Sequence, residues 1–110
     1  MHLVYLYSIY DRKAQIYIPP FTVPHEAQAV RTFAEAVISS ETPVSQYPAD
    51  FDLLLLGAVD VETGVLTPEM PTPRPIINGL VALTNAQRER QRYQAILSTV
   101  GEEEPAPEAS

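Results

Sequence analysis

The chain has 110 residues, of which 45% are hydrophobic and none is cysteine, and its formal net charge is −7. This length predicts one domain, and the missing cysteines exclude a disulfide framework, a thiolate metal site and a cysteine nucleophile. Four of the fourteen acidic residues lie within residues 101–110, so the rest of the chain is only mildly acidic. This charge does not indicate a nucleic-acid-binding protein, but it is compatible with a local basic patch.

The N-terminal segment predicts a β-hairpin. Residues 2–10 and 14–18 are rich in β-branched and aromatic side chains, as strands are. A turn at Arg12 and Lys13 would pair Ile9 with Ile16 and set the register of the two strands. The face opposite the core would then carry Ser8, Tyr10, Gln15 and Tyr17.

Residues 24–39 carry the clearest helical pattern. Pro24 suits the first turn, and Glu26 suits the positive end of the helix dipole. Residues 39–49 contain two prolines and several polar side chains, so a loop is predicted there. The apolar positions that recur at helical spacing are Ala27, Val30, Phe33, Ala34, Val37 and Ile38.

The apolar segment at residues 51–60 predicts a strand buried on both faces and therefore central in its sheet, because its side chains do not alternate in polarity. A turn at residues 60–64 leads to a short strand at residues 65–67, which Pro68 confines to the sheet edge. One helix covers one face of a sheet, so Leu54 and Leu56 on the other face need a second cover.

The C-terminal third predicts a second helix after a proline-rich connection. Residues 71–83 are predicted as a linker followed by an apolar segment, and Thr84 as the start of a helix that spans residues 84–100. Gly101 would end it, and residues 101–110 would form a disordered acidic tail. The second helix either covers the open sheet face or docks on a partner subunit, through Tyr93, Ile96, Leu97 and Val100.

These elements together predict an α+β fold. Residues 1–70 would form the body, a small antiparallel sheet of two hairpins that flank the first helix in the order ββαββ. No apolar run approaches the roughly 20 residues that span a bilayer, and the N-terminus lacks a signal-peptide pattern, so no membrane association is expected.

The residues that could support catalysis are few. His2 and His25 are the only histidines, and their positions predict two solvent-exposed side chains. Asp50 and Asp52 could act as an acid–base pair, but a strand-entry role explains them better. We therefore expect no catalytic residue, no metal site and no cofactor. Magnesium-dependent cleavage of nucleic acid that is lost in Asp50→Ala or Asp52→Ala would contradict this expectation.

Two groups of residues are candidates for nucleic-acid contact. Tyr10 and Tyr17 beside Arg12 and Lys13 would offer aromatic rings for base stacking and cations for the phosphate backbone. The alternative is that these tyrosines pack under the second helix, with their hydroxyl groups reaching solvent.

The second group lies in the C-terminal helix. Arg88 and Arg92 share one face of that helix and could contact phosphates. The alternative is an ordinary solvated helix face.

Five short motifs stand in order along residues 4–70. They are Tyr-Ser-x-Tyr-Asp-x-Lys-Ala (7–14), Pro-Phe (20–21), Ala-x-Arg-x-Phe (29–33), Pro-x-Asp-Phe-x-Leu (48–53) and Asp-x-x-Thr-Gly (60–64). This series resembles the small nonstructural protein family of microviruses, chiefly the gokushovirus group with single-stranded DNA genomes. The resemblance implies an accessory protein of phage genome replication in the cytoplasm of the bacterial host, often described as DNA-binding.

The resemblance and the residues lead to two hypotheses. In the first, the protein binds single-stranded DNA or the replication complex, as a homo-oligomer. In the second, it is an adaptor or scaffold that forms a homo-oligomer and contacts phage or host replication proteins without touching DNA, a role that the acidic balance favours. The proline-rich linker and the apolar side of the second helix are compatible with both.

Overall fold

The computed structural model describes residues 1–39 and 41–103, and in this part of the chain it is an α+β fold. Six antiparallel strands form one sheet, with the helices gathered on one of its faces. The strands are β1 Leu3–Asp11, β2 Ile16–Tyr17, β3 Phe21–Val23, β4 Phe51–Asp60, β5 Leu66–Pro68 and β6 Arg74–Asn78. The helices are α1 Glu26–Ile38, α2 Pro43–Gln46 and α3 Gly79–Glu103, with a 3₁₀ turn at Pro48–Asp50.

Strand β4 is the centre of the sheet, as its apolar sequence predicts. It pairs with β1 along one side and with β5 and β6 along the other. Leu53 is fully buried and Leu55 nearly so, and both belong to the main hydrophobic core. The prediction of a central strand with the bounds 51–60 is therefore confirmed.

The first hairpin has the predicted faces but a different register. Tyr10 pairs with Tyr17, and the amide of Ile18 donates to the carbonyl of Ile9. The predicted partner of Ile9 was Ile16, so the register is two residues away from the prediction. A shift of two residues keeps each side chain on its face.

The cause of this shift is a wider turn than the one predicted. The amide of Gln15 donates to the Asp11 carbonyl, and Gln15 adopts a positive φ of 60°. Strand β2 is consequently only two residues long. After Pro19 and Pro20 the chain pairs with β1 a second time, as β3.

Helix α1 supplies most of the cover for one sheet face. Its buried residues are Ala29, Phe33 and Val37, which pack with Leu53 and Leu55 of β4. Ala29 was absent from the predicted core, while the predicted core residues Ala27 and Ile38 are exposed.

The predicted loop after α1 contains two short helical elements. Thr42 caps α2 through a capping box with Ser45, in which each side chain accepts from the other residue's backbone amide. Helix α2 buries Val44 in the core. A four-residue helix has too few positions to show periodicity, which is why the sequence pattern did not reveal it.

The segment predicted as a linker contributes a strand and the start of α3. Residues 74–78 pair with β4 as β6, and α3 begins at Gly79 rather than at Thr84. Thr84 lies inside the helix, where its hydroxyl donates to the carbonyl of Leu80. The cap is Asn78, whose side-chain oxygen accepts from the amide of Leu80 at 2.9 Å.

Only the first part of α3 packs on the body. Ala82 is 2% exposed and Leu83 packs against the core, whereas every residue from Gln87 to Thr99 is exposed. The helix therefore projects outward, which accounts for the 64 Å longest dimension and the radius of gyration of 18.8 Å, against about 13 Å for a compact chain of this length.

The predicted end of this helix at Gly101 is wrong, because α3 continues to Glu103. The remainder of the predicted disordered tail, residues 104–110, lies outside the described residues. Among the described helices, none combines the length and the apolar character needed to cross a membrane.

Candidate nucleic-acid interface

The sheet face opposite α1, here called the open face, carries no helix in the described part of the chain. Successive side chains of a strand point to opposite faces of the sheet. Tyr5, Tyr7 and Ile9 of β1 pack with the core, so the even-numbered residues of β1 lie on the open face. Pairing across the sheet adds residues of the other strands. The open face comprises Val4, Leu6, Ser8, Tyr10, Tyr17, Asp52, Leu54, Val59, Leu66, Pro75 and Asn78.

The middle of the open face is apolar and partly screened by its own strands. Leu54 lies between Ser8 and Pro75 on the neighbouring strands and is only 8% exposed, although it is not part of the main core. Towards the β5 edge the face opens to solvent, and Leu66 is 57% exposed. The second cover that the sequence predicted for this face is absent from the described residues.

Tyr10 and Tyr17 form an aromatic pair at one end of the open face. They are direct partners across β1 and β2, with ring centroids 4.7 Å apart and ring planes inclined by 52°. Tyr17 is 43% exposed. The alternative in which α3 covers these rings is not what the structure shows, since the distal part of α3 projects away from the body.

Arg12 lies beside this pair and is held by a carboxylate. Its Nε donates to Oδ2 of Asp52 at 2.6 Å and its Nη2 donates to Oδ1 at 3.1 Å. Asp52 is in turn the cross-strand partner of Tyr10. The hydrogen bond to Asp52 raises the pKa of the Arg12 guanidinium above its usual value, so the cation is permanent, but Asp52 offsets its charge.

Asn78 completes this polar cluster and was not among the predicted site residues. Its Nδ2 donates to Oδ1 of Asp52 at 2.8 Å and to the carbonyls of Ala49 and Phe51. The same side chain caps α3. The sequence signal was the Asn78–Gly79 dipeptide, because asparagine is a favoured helix cap.

The other predicted basic residues lie elsewhere. Lys13 lines a shallow cavity of about 380 Å³ with Tyr47 and the carboxylates Asp11 and Asp50. Arg88 and Arg92 are exposed on the projecting part of α3. The structure thus brings Tyr10, Tyr17 and Arg12 together and places Lys13, Arg88 and Arg92 on other surfaces.

The described residues contain no group of three or more histidine, cysteine, aspartate or glutamate side chains that could hold a metal ion. Asp50 and Asp52 do not form a pair: Asp50 ends the 3₁₀ turn, and Asp52 is engaged by Arg12 and Asn78. His25 precedes α1 without a capping hydrogen bond from its side chain.

Comparison with known proteins identifies the group to which this fold and face belong. A family model described as "Phage ORF5 protein" matches residues 4–82. The chain belongs to the Phage ORF5 protein family. It is also 34% identical over 90 residues to "Protein ORF5" of Chlamydia phage 1, with 78% of this chain and 85% of that protein covered. No solved structure matches it.

Membership in the ORF5 family confirms the phage affiliation that the five motifs indicate. The matched segment contains all of the sheet except Leu3, together with α1, α2, the 3₁₀ turn and the first turn of α3. It therefore includes the open face and ends within the part of α3 that packs on the body.

Proposed function

We propose that this ORF5-family chain is an accessory protein of phage genome replication that binds single-stranded DNA in the cytoplasm of the bacterial host. It acts by binding and not by catalysis, and it needs no cofactor. The observation that carries the proposal is the Tyr10–Tyr17 pair, which lies next to Arg12 on a sheet face that none of the helices within residues 1–39 and 41–103 covers.

The proposed contact is a stacking platform. Bases stack on exposed aromatic rings of a sheet with about 1–3 kcal/mol each, without regard to sequence, while nearby cations track the phosphates. Tyr17 has the more accessible ring at the sheet edge, and Tyr10 supports it from the neighbouring strand. Arg12 supplies a phosphate contact at the same end of the face.

The test is the affinity for a labelled single-stranded oligonucleotide, measured over a range of salt concentrations. Tyr17→Leu should weaken binding by about 5- to 150-fold, the equivalent of one lost stacking contact. Tyr47→Leu is the matched control, because Tyr47 is 62% exposed and lies outside the open face. Failure of the wild-type chain to bind even near about 20 mM salt, where phosphate contacts are strongest, would refute the DNA contact.

A second candidate function rests on the charge and the apolar surface of the same face. The charge of Arg12 beside the tyrosine pair is offset by Asp52, and the separate cavity around Lys13 carries two carboxylates, Asp11 and Asp50. Leu66 and its neighbours also extend an apolar surface to the β5 edge. These features suit an adaptor that docks on a phage or host replication protein.

The adaptor makes a different prediction in the same experiments. The wild-type chain would be indifferent to DNA, and it would bind a purified replication protein through the open face. Leu66→Asp would then abolish binding of the replication protein. Neither the wild-type chain nor the Tyr17→Leu variant would show measurable affinity for DNA. Salt-dependent DNA binding that is lost in Tyr17→Leu would favour the first function.

A further inference from the structure

A small cavity lies on the core side of the sheet, where helix α1 begins. Its volume is about 230 Å³, and it is lined by Tyr5, Tyr7, Glu26, Leu55 and Arg74. Tyr7 and Arg74 are the partners of Leu55 on the two neighbouring strands, and Glu26 is the first residue of α1. Pockets that take whole drug-sized ligands measure about 300–1000 Å³. The cavity is therefore of a size for a single small chemical group.

The hydroxyl group of Tyr7 is directed into this cavity and has no partner in the described part of the chain. Tyr7 is only 2% exposed, yet its hydroxyl forms no hydrogen bond within residues 1–39 and 41–103. In the same part of the chain, every fully buried side-chain nitrogen or oxygen has a partner, so the Tyr7 hydroxyl must keep access to the cavity. Polar groups in the protein interior are normally hydrogen-bonded, and an exception requires an explanation. A ligand group that bonds to this hydroxyl would provide one.

The charged groups around the cavity carry one negative charge in excess. Nη2 of Arg74 lies 3.5 Å from Oε1 of Glu26, and its Nε lies 3.4 Å from Oε2 of Glu69. One guanidinium thus faces two carboxylates, and both distances exceed the about 2.7–2.9 Å of a strong charge-assisted hydrogen bond. These three charges sum to −1. The cavity therefore disfavours an anion and favours a group with a positive charge.

The oxygen-bearing side chains of the cavity match the donors of a primary ammonium group. An ammonium has three N–H donors and no acceptor, and the cavity offers the carboxylate of Glu26 and the hydroxyl oxygens of Tyr5 and Tyr7. Burial and then the charge of Glu26 raise the pKa of Tyr7, so its hydroxyl keeps its proton at neutral pH. Leu55 and the tyrosine rings supply an apolar surface for the methylene stem that carries an ammonium.

We propose that this cavity binds a primary alkylammonium group, carried either by a lysine side chain of a partner protein or by a free diamine. The ammonium donates to Glu26 and to the two tyrosine hydroxyls, and it balances the excess negative charge that Arg74 leaves. The cavity lies on the opposite side of the sheet from the Tyr10–Tyr17 pair. The assignment is thus independent of the proposed DNA contact.

Titration of n-butylammonium chloride into the full chain tests the assignment, with the total salt concentration held constant by sodium chloride. We expect saturable changes in the NMR signals of the Tyr5 and Tyr7 rings, with a dissociation constant on the order of 1–10 mM for so small a group. n-Butyltrimethylammonium has the same charge but no N–H donor, and it should bind at least about tenfold more weakly. No saturable change up to about 100 mM, far above this range, or equal binding of the two cations would overturn the proposal.

A charge substitution locates the ammonium. Glu26→Gln keeps the size of the side chain and removes its charge, so it should weaken n-butylammonium binding by about tenfold or more. Glu35→Gln is the matched control, because Glu35 is exposed on the opposite side of the same helix, and it should leave the affinity unchanged. Undiminished binding in Glu26→Gln would overturn the proposal.

Tyr7→Phe separates a ligand contact from a structural role. The substitution keeps the ring in the core and removes only the hydroxyl, which has no partner among the described residues. The Tm should therefore stay the same or rise, while n-butylammonium binding weakens by about threefold or more. A lowered Tm with unchanged binding would show that the hydroxyl serves the fold, and it would contradict the proposal.

Two further ligands distinguish the sources of the ammonium group. Nα-acetyl-lysine methylamide represents a lysine side chain of a partner protein, and cadaverine represents a free diamine. Tighter binding of the lysine derivative at constant salt would assign the cavity to a protein partner, and tighter binding of cadaverine would assign it to a diamine. Failure of both ligands to shift the Tyr5 and Tyr7 signals would overturn the proposal.

Discussion

Arg12 and Asp52 form a two-point ion pair on the open face, with the guanidinium 57% and the carboxylate 16% exposed. The pair joins the end of β1 to the start of β4 beside Tyr10. It sets the charge next to the proposed stacking platform, because Asp52 engages two of the three guanidinium nitrogens of Arg12 and so weakens the contact that Arg12 could make with a phosphate.

Replacement of Asp52 by asparagine should therefore tighten single-stranded DNA binding several-fold. The loss of one carboxylate frees Arg12, and the dependence of log K on log salt should steepen by about one phosphate contact. Glu35→Gln on α1 makes the same change in net charge away from the open face and should have little effect. An unchanged affinity and salt slope in Asp52→Asn would show that Arg12 takes no part in DNA binding.

Asn78→Asp tests the polar cluster itself. Asparagine and aspartate cap helices about equally well, so a residue that acted only as a cap would tolerate the change. Here the side-chain amide also donates to Asp52 and to two carbonyls, and a carboxylate would lose these bonds and face Asp52. We expect the free energy of unfolding to fall by about 1–3 kcal/mol.

Denaturant unfolding measures this loss. The same substitution at Asn85, which is exposed on α3, is the control and should change stability by less than about 0.5 kcal/mol. Equal effects at the two positions would mean that the bonds from Asn78 to the start of β4 contribute nothing to stability.

Gly79→Ala should destabilise the fold even though alanine favours helices. A Cβ at this position would collide with the carbonyl oxygen of Pro48 and lie 3.0 Å from its carbonyl carbon. The 3₁₀ turn would have to move away from the first turn of α3, at a cost of about 1–3 kcal/mol. The measurement is thermal unfolding, with Gln91→Ala as a helix-surface control; a raised Tm in Gly79→Ala would contradict the close contact.

Asp60 gives the fold a defined response to acid. Its Oδ1 accepts from the amides of Glu62 at 3.0 Å and His2 at 3.4 Å, and the bond from Glu62 is the main cause of the lowered pKa of this carboxyl. A lowered pKa in the folded state stabilises the fold above the unfolded value, and this contribution disappears as the pH falls through the folded value.

Asp60→Asn should accordingly lower the Tm at pH 7, and the difference from wild type should shrink as the pH falls below the ordinary value of 3.8. Glu35→Gln, which removes an equal charge from α1, controls for net charge. A difference between Asp60→Asn and wild type that stays constant from pH 7 to about 2 would show that the charge of Asp60 is irrelevant to stability.

The sequence was most informative where burial alone decides the structure. The apolar run from Leu53 to Val59 predicted a strand at the centre of the sheet, and the predicted hairpin was enough to place Tyr10 and Tyr17 on one face. Register was harder, because it depends on the positive φ of Gln15, a conformation that no pattern of hydrophobic residues encodes.

The C-terminal part of the body shows a second limit. Residues 76–83 are apolar throughout, apart from Asn78 and Gly79, and such a run does not distinguish a strand from a buried helix start. Here it contains both, and the change from one to the other occurs at Asn78. The candidate site was incomplete for the same reason, since Asn78 joins Asp52 only when β6 pairs with β4.

Because the described helices lie on one face of the sheet, tolerance of substitution should alternate from one residue of β1 to the next. Tyr5, Tyr7 and Ile9 point into the core, so their replacement would destabilise the fold, whereas Val4, Leu6 and Tyr10 belong to the open face, which none of the described helices covers. Alternate residues of one strand are thus under different structural constraints, and substitutions at the partly exposed positions of the open face would change that surface while the core stays intact.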